Sequence, residues 1–224
     1  MWQKAFSVFK NLFYFIGLAL RALHFWRTDD PVASPEDLVR FAETRSKYVS
    51  QITLYQYVKT RAGTRYTLLF EDETFSKSLN IAKWEIYLVC LGDLCVYLTA
   101  RIGQATSLSQ DEQKALALYL FDTVLEDEEV PDFRPQGFDE AIKEFHTGVG
   151  RINWDEAPVD DIAFLRSMDA LYEWAPVADE LKKYDGLAVK NSIRFRWRHV
   201  RDQLNKIWEP ETIAQQWRDR RAAA

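Results

Sequence analysis

The sequence predicts an all-α protein: an irregular bundle of about six to eight helices with an amphipathic helix at the N-terminus. Three observations carry that prediction. Large apolar residues recur three and four positions apart through most of the 224 residues, the period of a helix that buries one face. Helix start and stop residues punctuate those runs. Glycine and proline are sparse, at eight and seven, which is low for an all-β chain of this length, and no strand pair stands out. A hydrophobic content of 47%, with 14% aromatics, lets the chain bury a core and argues against disorder.

The first element spans residues 1–28. Trp2, Phe6, Phe9, Phe13, Ile16, Leu20 and Leu23 follow one another at spacings of 4, 3, 4, 3, 4 and 3, which makes one continuous apolar face on a helix. Lys4, Lys10, Arg21 and Arg27 are its charges, and it has no acid. Its longest uncharged run, Asn11–Leu20, is ten residues, whereas a membrane-spanning helix needs ~20. Leu20-Arg21-Ala22-Leu23 offers no small-residue cleavage site. A simple span and a cleaved signal peptide are therefore both disfavoured. Two occupants remain for the apolar face. One is a membrane interface, with Lys4, Lys10 and Arg21 at anionic head groups. The other is protein, either the rest of this chain or a partner, because the same spacing suits a helix–helix seam.

Asp29-Asp30-Pro31 breaks this helix. Ser34 followed by Pro35 reads as an N-cap and first helical residue, opening a helix to about Ala62 with Gly63 as its stop. Its seam is Leu38, Ala42, Arg45, Val49, Ile52 and Tyr55, with one charge, Arg45, inside it. After a connection over 64–72, a helix is expected from Glu73 to Ile102, ending at Gly103. Its stripe Ile81, Trp84, Leu88, Leu91, Cys95, Leu98 and Ile102 is backed by Ile86, Val89, Val96 and Tyr97, so it is apolar all round and central. Its apolar centre, Trp84–Leu98, is short for a span and contains Glu85 and Asp93. Ser109 and Glu112 form a capping box that starts a helix to about Glu126. A loop from Pro131 to Gly137 precedes a short helix, Phe138–Thr147. Helices are expected near 161–174 and 177–185, with Gly186 ending the second, then near 187–208, and from Pro210 to about Arg220. The organisation is thus an amphipathic helix over 1–28, a bundle over 33–209, and a terminal helix and tail over 210–224.

The net charge of −5 excludes a generic nucleic-acid binder, but the charge is uneven. Residues 122–132 hold six acids and no base, including the run Glu126 to Glu129, read as a solvated helix end or a docking surface. Lys190, Arg194, Arg198 and Arg201, spaced 4, 4 and 3, make one basic face beside the apolar stripe Val189, Ile193, Trp197, Val200 and Leu204. That face is a solvated helix surface or faces an anion, either a membrane or the acidic run itself. No recognised binding motif accompanies it, so nucleic acid is not an expected partner.

Asp93 is the sharpest single residue. A carboxylate on an apolar helix has to be paired, hydrogen-bonded or protonated. Arg45 is the expected partner, in a buried ion pair that fixes helix register. Cys90 and Cys95, five apart on one helix, point about 140° away from each other and cannot form a disulfide there. They read as core residues in a reducing compartment. His24, His146 and His199 lack metal-ligand neighbours at helical spacing, so no metal is expected. No nucleophile elbow, phosphate-binding glycine loop or dinucleotide fingerprint is present, and no catalytic residue or cofactor is assigned.

The stretch from Arg45 to Tyr55, with Lys59 to Tyr66, Trp174 to Lys182 and Asn191 to Phe195, resembles a family of uncharacterised alphaproteobacterial proteins, some of them labelled esterase. The resemblance covers about a sixth of the chain and implies a bacterial origin and no mechanism. Together these features lead to an expected function: a non-catalytic accessory, scaffold or assembly protein. It would sit in the cytoplasm, peripheral on the inner face of a membrane, and act on a membrane surface or a membrane protein complex through residues 1–28. The rivals are a small hydrolase-like enzyme with a nonstandard site, and a soluble helical adaptor.

Overall fold

Ser34 accepts a 3.0 Å hydrogen bond from the Asp37 amide, and Pro35 follows it, so the first long helix starts where its capping residues stand. The computed structural model describes residues 30–223. The helix expected over 1–28 lies outside the described residues. Helix α1 runs Pro35–Ala62 and ends at Gly63, whose φ of 56° is the left-handed conformation that favours glycine. A 3₁₀ turn, Gly63–Arg65, leads into a short helix, α2 (Tyr66–Glu71), where the sequence suggests only a connection.

Helix α3 runs Glu73–Ala105, opened by Asp72, whose carboxylate accepts from the Phe75 amide at 2.7 Å. It is the centre of the molecule, packed by α1 on one side and by the later helices on the others. It is long and apolar enough to cross a membrane by composition, yet most of its apolar window is buried inside the bundle. The expected stop at Gly103 is incorrect. The helix continues for two more residues, and Gly103 serves another purpose: a Cβ there would fall 2.0 Å from the Gln113 side-chain oxygen. The glycine allows close approach of the next helix.

That helix, α4 (Gln110–Glu126), carries the expected capping box, with the Ser109 amide donating to Glu112 at 2.7 Å and the Glu112 amide to Ser109 at 3.3 Å. Helix α5 spans Asp139–Val149. The helix expected near 161–174 divides into a 3₁₀ turn, Asp161–Phe164, and α6, Leu165–Trp174. The helix expected near 177–185 is the single turn α7, Asp179–Lys182. Gly186 begins a helix and does not end one: α8 runs Gly186–Ile207. Pro210 then opens α9, Pro210–Ala223.

Among the described residues these are nine α-helices and no strand, an all-α bundle. The short pieces α2 and α7 raise the number above the expected six to eight. Helix α9 is not a loose tail. Ile213, Ala214 and Trp217 are buried, and the Trp217 indole donates to the Glu112 carbonyl at 3.0 Å. The start of the described chain is stitched to the α8–α9 joint. The Val32 amide donates to Ile207 at 2.8 Å, and the Glu209 amide donates to Val32 at 2.9 Å. Phe164 stacks on Trp197 with ring centres 4.5 Å apart, locking α8 to the base of α6.

Candidate functional site

Three polar centres and one surface emerge from this packing. The first is built on Asp93, which is buried in the middle of α3. The expected Arg45–Asp93 pair does not form. The Asp93 carboxylate accepts from the Ser167 amide at 2.8 Å and from the Ser167 hydroxyl. Arg45, also buried, donates through Nε to Gln203 at 3.0 Å and lies 4.9 Å from the centre of the Phe41 ring. The physical reason is the direction of each side chain. α1 turns Arg45 toward α8, whereas α3 turns Asp93 toward α6, so the two charges serve different interfaces. Burial raises the Asp93 carboxyl to about 6, and the two hydrogen bonds from Ser167 pull against that rise. Burial also lowers the Arg45 guanidinium to about 10.

Ser167 belongs to no motif, yet the sequence holds a signal for it. Phe164, Met168 and Leu171 define the buried face of this segment, and Ser167 lies on that face. A small hydroxyl there implies a buried polar partner. Neither group reaches solvent: Ser167 is 0% exposed and Asp93 4%.

The second centre gathers Lys47, Tyr87 and Glu128. Lys47 Nζ stands 2.7 Å from both Glu43 and Glu128, and the Tyr87 hydroxyl donates to Glu128 at 2.7 Å. Burial lowers the Lys47 ammonium, but the hydrogen bonds to the two carboxylates outweigh it and leave the group raised. Lys83 alongside is lowered by burial. The acidic run therefore folds one of its members, Glu128, back onto α1 and α3. In the third centre His146 Nε2 lies 2.8 and 2.9 Å from the two oxygens of Asp122. This pairing joins α5 to α4, so helical spacing within one element could not reveal it. Cys90 and Cys95 are free buried thiols, both raised by burial. Among the described residues no cluster of three or more His, Cys, Asp or Glu side chains is arranged to hold a metal.

The surface belongs to α8. Three of its four candidate anion-facing residues already meet carboxylates of this chain: Lys190 pairs with Asp169 at 2.6 Å, Arg194 lies 3.9 Å from Asp161, and Arg201 pairs with Asp161. Arg198 is exposed and has no ion pair among the described residues. The residues of the N-terminal face, Trp2 to Leu23 with Lys4, Lys10 and Arg21, lie outside the described residues. No model of a known family, no curated protein and no solved structure matches this chain.

Proposed function

We propose that this protein is a non-catalytic accessory or assembly protein held at the inner face of a membrane by residues 1–28, with its helical bundle in the cytoplasm. The observation that carries the reading is the charge and apolar pattern of that segment. The whole chain is −5 and the segment is +4, so the rest of the chain is −9. An anionic membrane repels such a body and attracts the segment. The apolar face adds burial at the acyl boundary. The fixed position of Val32 supports the reading too, because a short linker then joins the segment to a firm point on the bundle. Asp93, Ser167 and His146 are each engaged in contacts between helices, as expected of a scaffold.

The test is flotation of the full chain with anionic vesicles, comparing it with the variant Phe9→Asp/Ile16→Asp, which breaks the apolar face. Flotation of the parent and loss in the variant is the expected result. Equal behaviour of the two overturns the reading.

The Ser167–Asp93 contact favours one second reading, a hydrolase-like enzyme with a nonstandard site. It requires the α3–α6 contact to open, because both groups are sealed from solvent. Hydrolysis of small esters that disappears in Ser167→Ala would support this alternative.

A further inference from the structure

Along α8 and the turn before it, the chain keeps large apolar side chains in water. Tyr184 is 84% exposed, Leu187 75%, Phe195 55% and Leu181 51%. Leu187, Asn191, Phe195 and Arg198 follow at spacings of 4, 4 and 3, a single stripe on α8. The opposite stripe, Val189, Ile193, Trp197, Val200 and Leu204, is the one buried in the core. This helix is therefore amphipathic with its apolar needs already met, and the outer Leu, Tyr and Phe are surplus to folding.

Bases predominate along α8, although Asp179 and Glu180 stand exposed just before Leu181. From residue 183 to residue 201 the chain holds six bases and one acid. That acid, Asp185, is buried and holds Tyr57 and Arg61. Lys190, Arg194 and Arg201 share Asp161 and Asp169, which leaves Lys183, over the Tyr184 ring at 5.4 Å, and Arg198 as exposed cations without an acidic partner among the described residues. Aromatic and leucine side chains flanked by cations match the interface of an anionic bilayer, where the apolar groups enter the acyl boundary and the bases meet head groups.

We infer that the outer face of α8, Tyr184, Leu187 and Phe195 with Lys183 and Arg198, is a second contact with an anionic lipid surface. The inference rests on the membrane reading above and adds an orientation to it. The described chain begins two residues before Val32, which is hydrogen-bonded to Ile207 at the far end of α8. At 1.5 Å per residue, Leu187 and Ile207 stand about 30 Å apart along that helix. Two contacts so separated lay α8 along the membrane plane and turn the acidic body away from it.

The test places an environment-sensitive fluorophore on single introduced cysteines in the full chain, at Leu187→Cys, Phe9→Cys and, as a control on another face, Lys114→Cys. The native Cys90 and Cys95 are fully buried and stay unlabelled. Vesicles of phosphatidylcholine with and without phosphatidylglycerol are the probe. A blue shift at 187 and at 9 with phosphatidylglycerol, and none at 114, is expected. A response at 9 with silence at 187 overturns the α8 contact and leaves the N-terminal reading intact. A response at 187 with silence at 9 does the reverse, and silence at both overturns both. Leu187→Ser/Phe195→Ser, at exposed positions, is expected to weaken vesicle affinity about tenfold. If the parent chain is a dimer in sedimentation and that variant a monomer, the face belongs to a second copy and the inference falls.

Discussion

Ser167 gives Asp93 two hydrogen bonds from one residue, the amide at 2.8 Å and the hydroxyl beside it, in a part of the bundle that water does not reach. The carboxyl is thereby held between protonation states, raised from 3.8 to about 6. A group whose pKa is raised on folding stabilises the protein fully below its unfolded pKa, and that stability is lost as pH rises through the folded value. For Asp93 the loss falls between about pH 4 and pH 6 and amounts to on the order of 3 kcal/mol. The destabilisation caused by Asp93→Asn is therefore expected to be largest at and below about pH 4 and to shrink as pH rises to about 6. Urea unfolding of both proteins across that range is the measurement. A difference that does not change with pH would remove Asp93 from this account.

Gly103 and Gln113 make a second sharp test. Ala at position 103 would place a Cβ 2.0 Å from the Gln113 side-chain oxygen and 2.7 Å from its nitrogen, which donates to the Leu108 carbonyl at 3.0 Å. Gly103→Ala is expected to cost ~1–3 kcal/mol despite the better helix propensity of alanine. Combined with Gln113→Ala, the penalty of the alanine should largely vanish. A double-mutant cycle with no coupling would show that the clash is relieved some other way.

Asp185 joins α1 to the start of α8 by accepting from the Tyr57 hydroxyl at 2.8 Å and pairing with Arg61. Tyr57→Phe removes one hydrogen bond to a carboxylate and should cost ~1.5–3 kcal/mol. Asp185→Ala removes both contacts at once and should cost more than Tyr57→Phe, although Arg61, itself exposed, adds little to the penalty. The order of the two melting temperatures is the readout, and a Tyr57→Phe variant less stable than Asp185→Ala would contradict it.

The lesson for reading such a chain lies in which signals are local. The Ser34 cap, the Ser109–Glu112 capping box and the Gly63 stop are each written within a few residues, and the helices begin or end where they say. The buried face of α8 follows from period alone, and so does that of α3 from Leu88 to Ile102, whereas Ile81 and Trp84 at the start of its stripe are only half-buried. Gly103 and Gly186 mislead because a glycine that ends a helix and a glycine that admits a neighbour look alike in sequence. The partners of Asp93 and Arg45 were not legible for a related reason. Periodicity shows which residues face inward and not which neighbouring helix they meet. Ser167 and Gln203 are chosen by the rotation of α6 and α8 about their axes. His146 and Asp122 come together only through the α4–α5 turnback.

The Val32 clasp also sets an order of events during synthesis. Its partners, Ile207 and Glu209, leave the ribosome long after Val32 itself. Val32 therefore stays without these backbone partners until α8 and the start of α9 have been made. The last two described helices thus complete a joint whose other half is already in place.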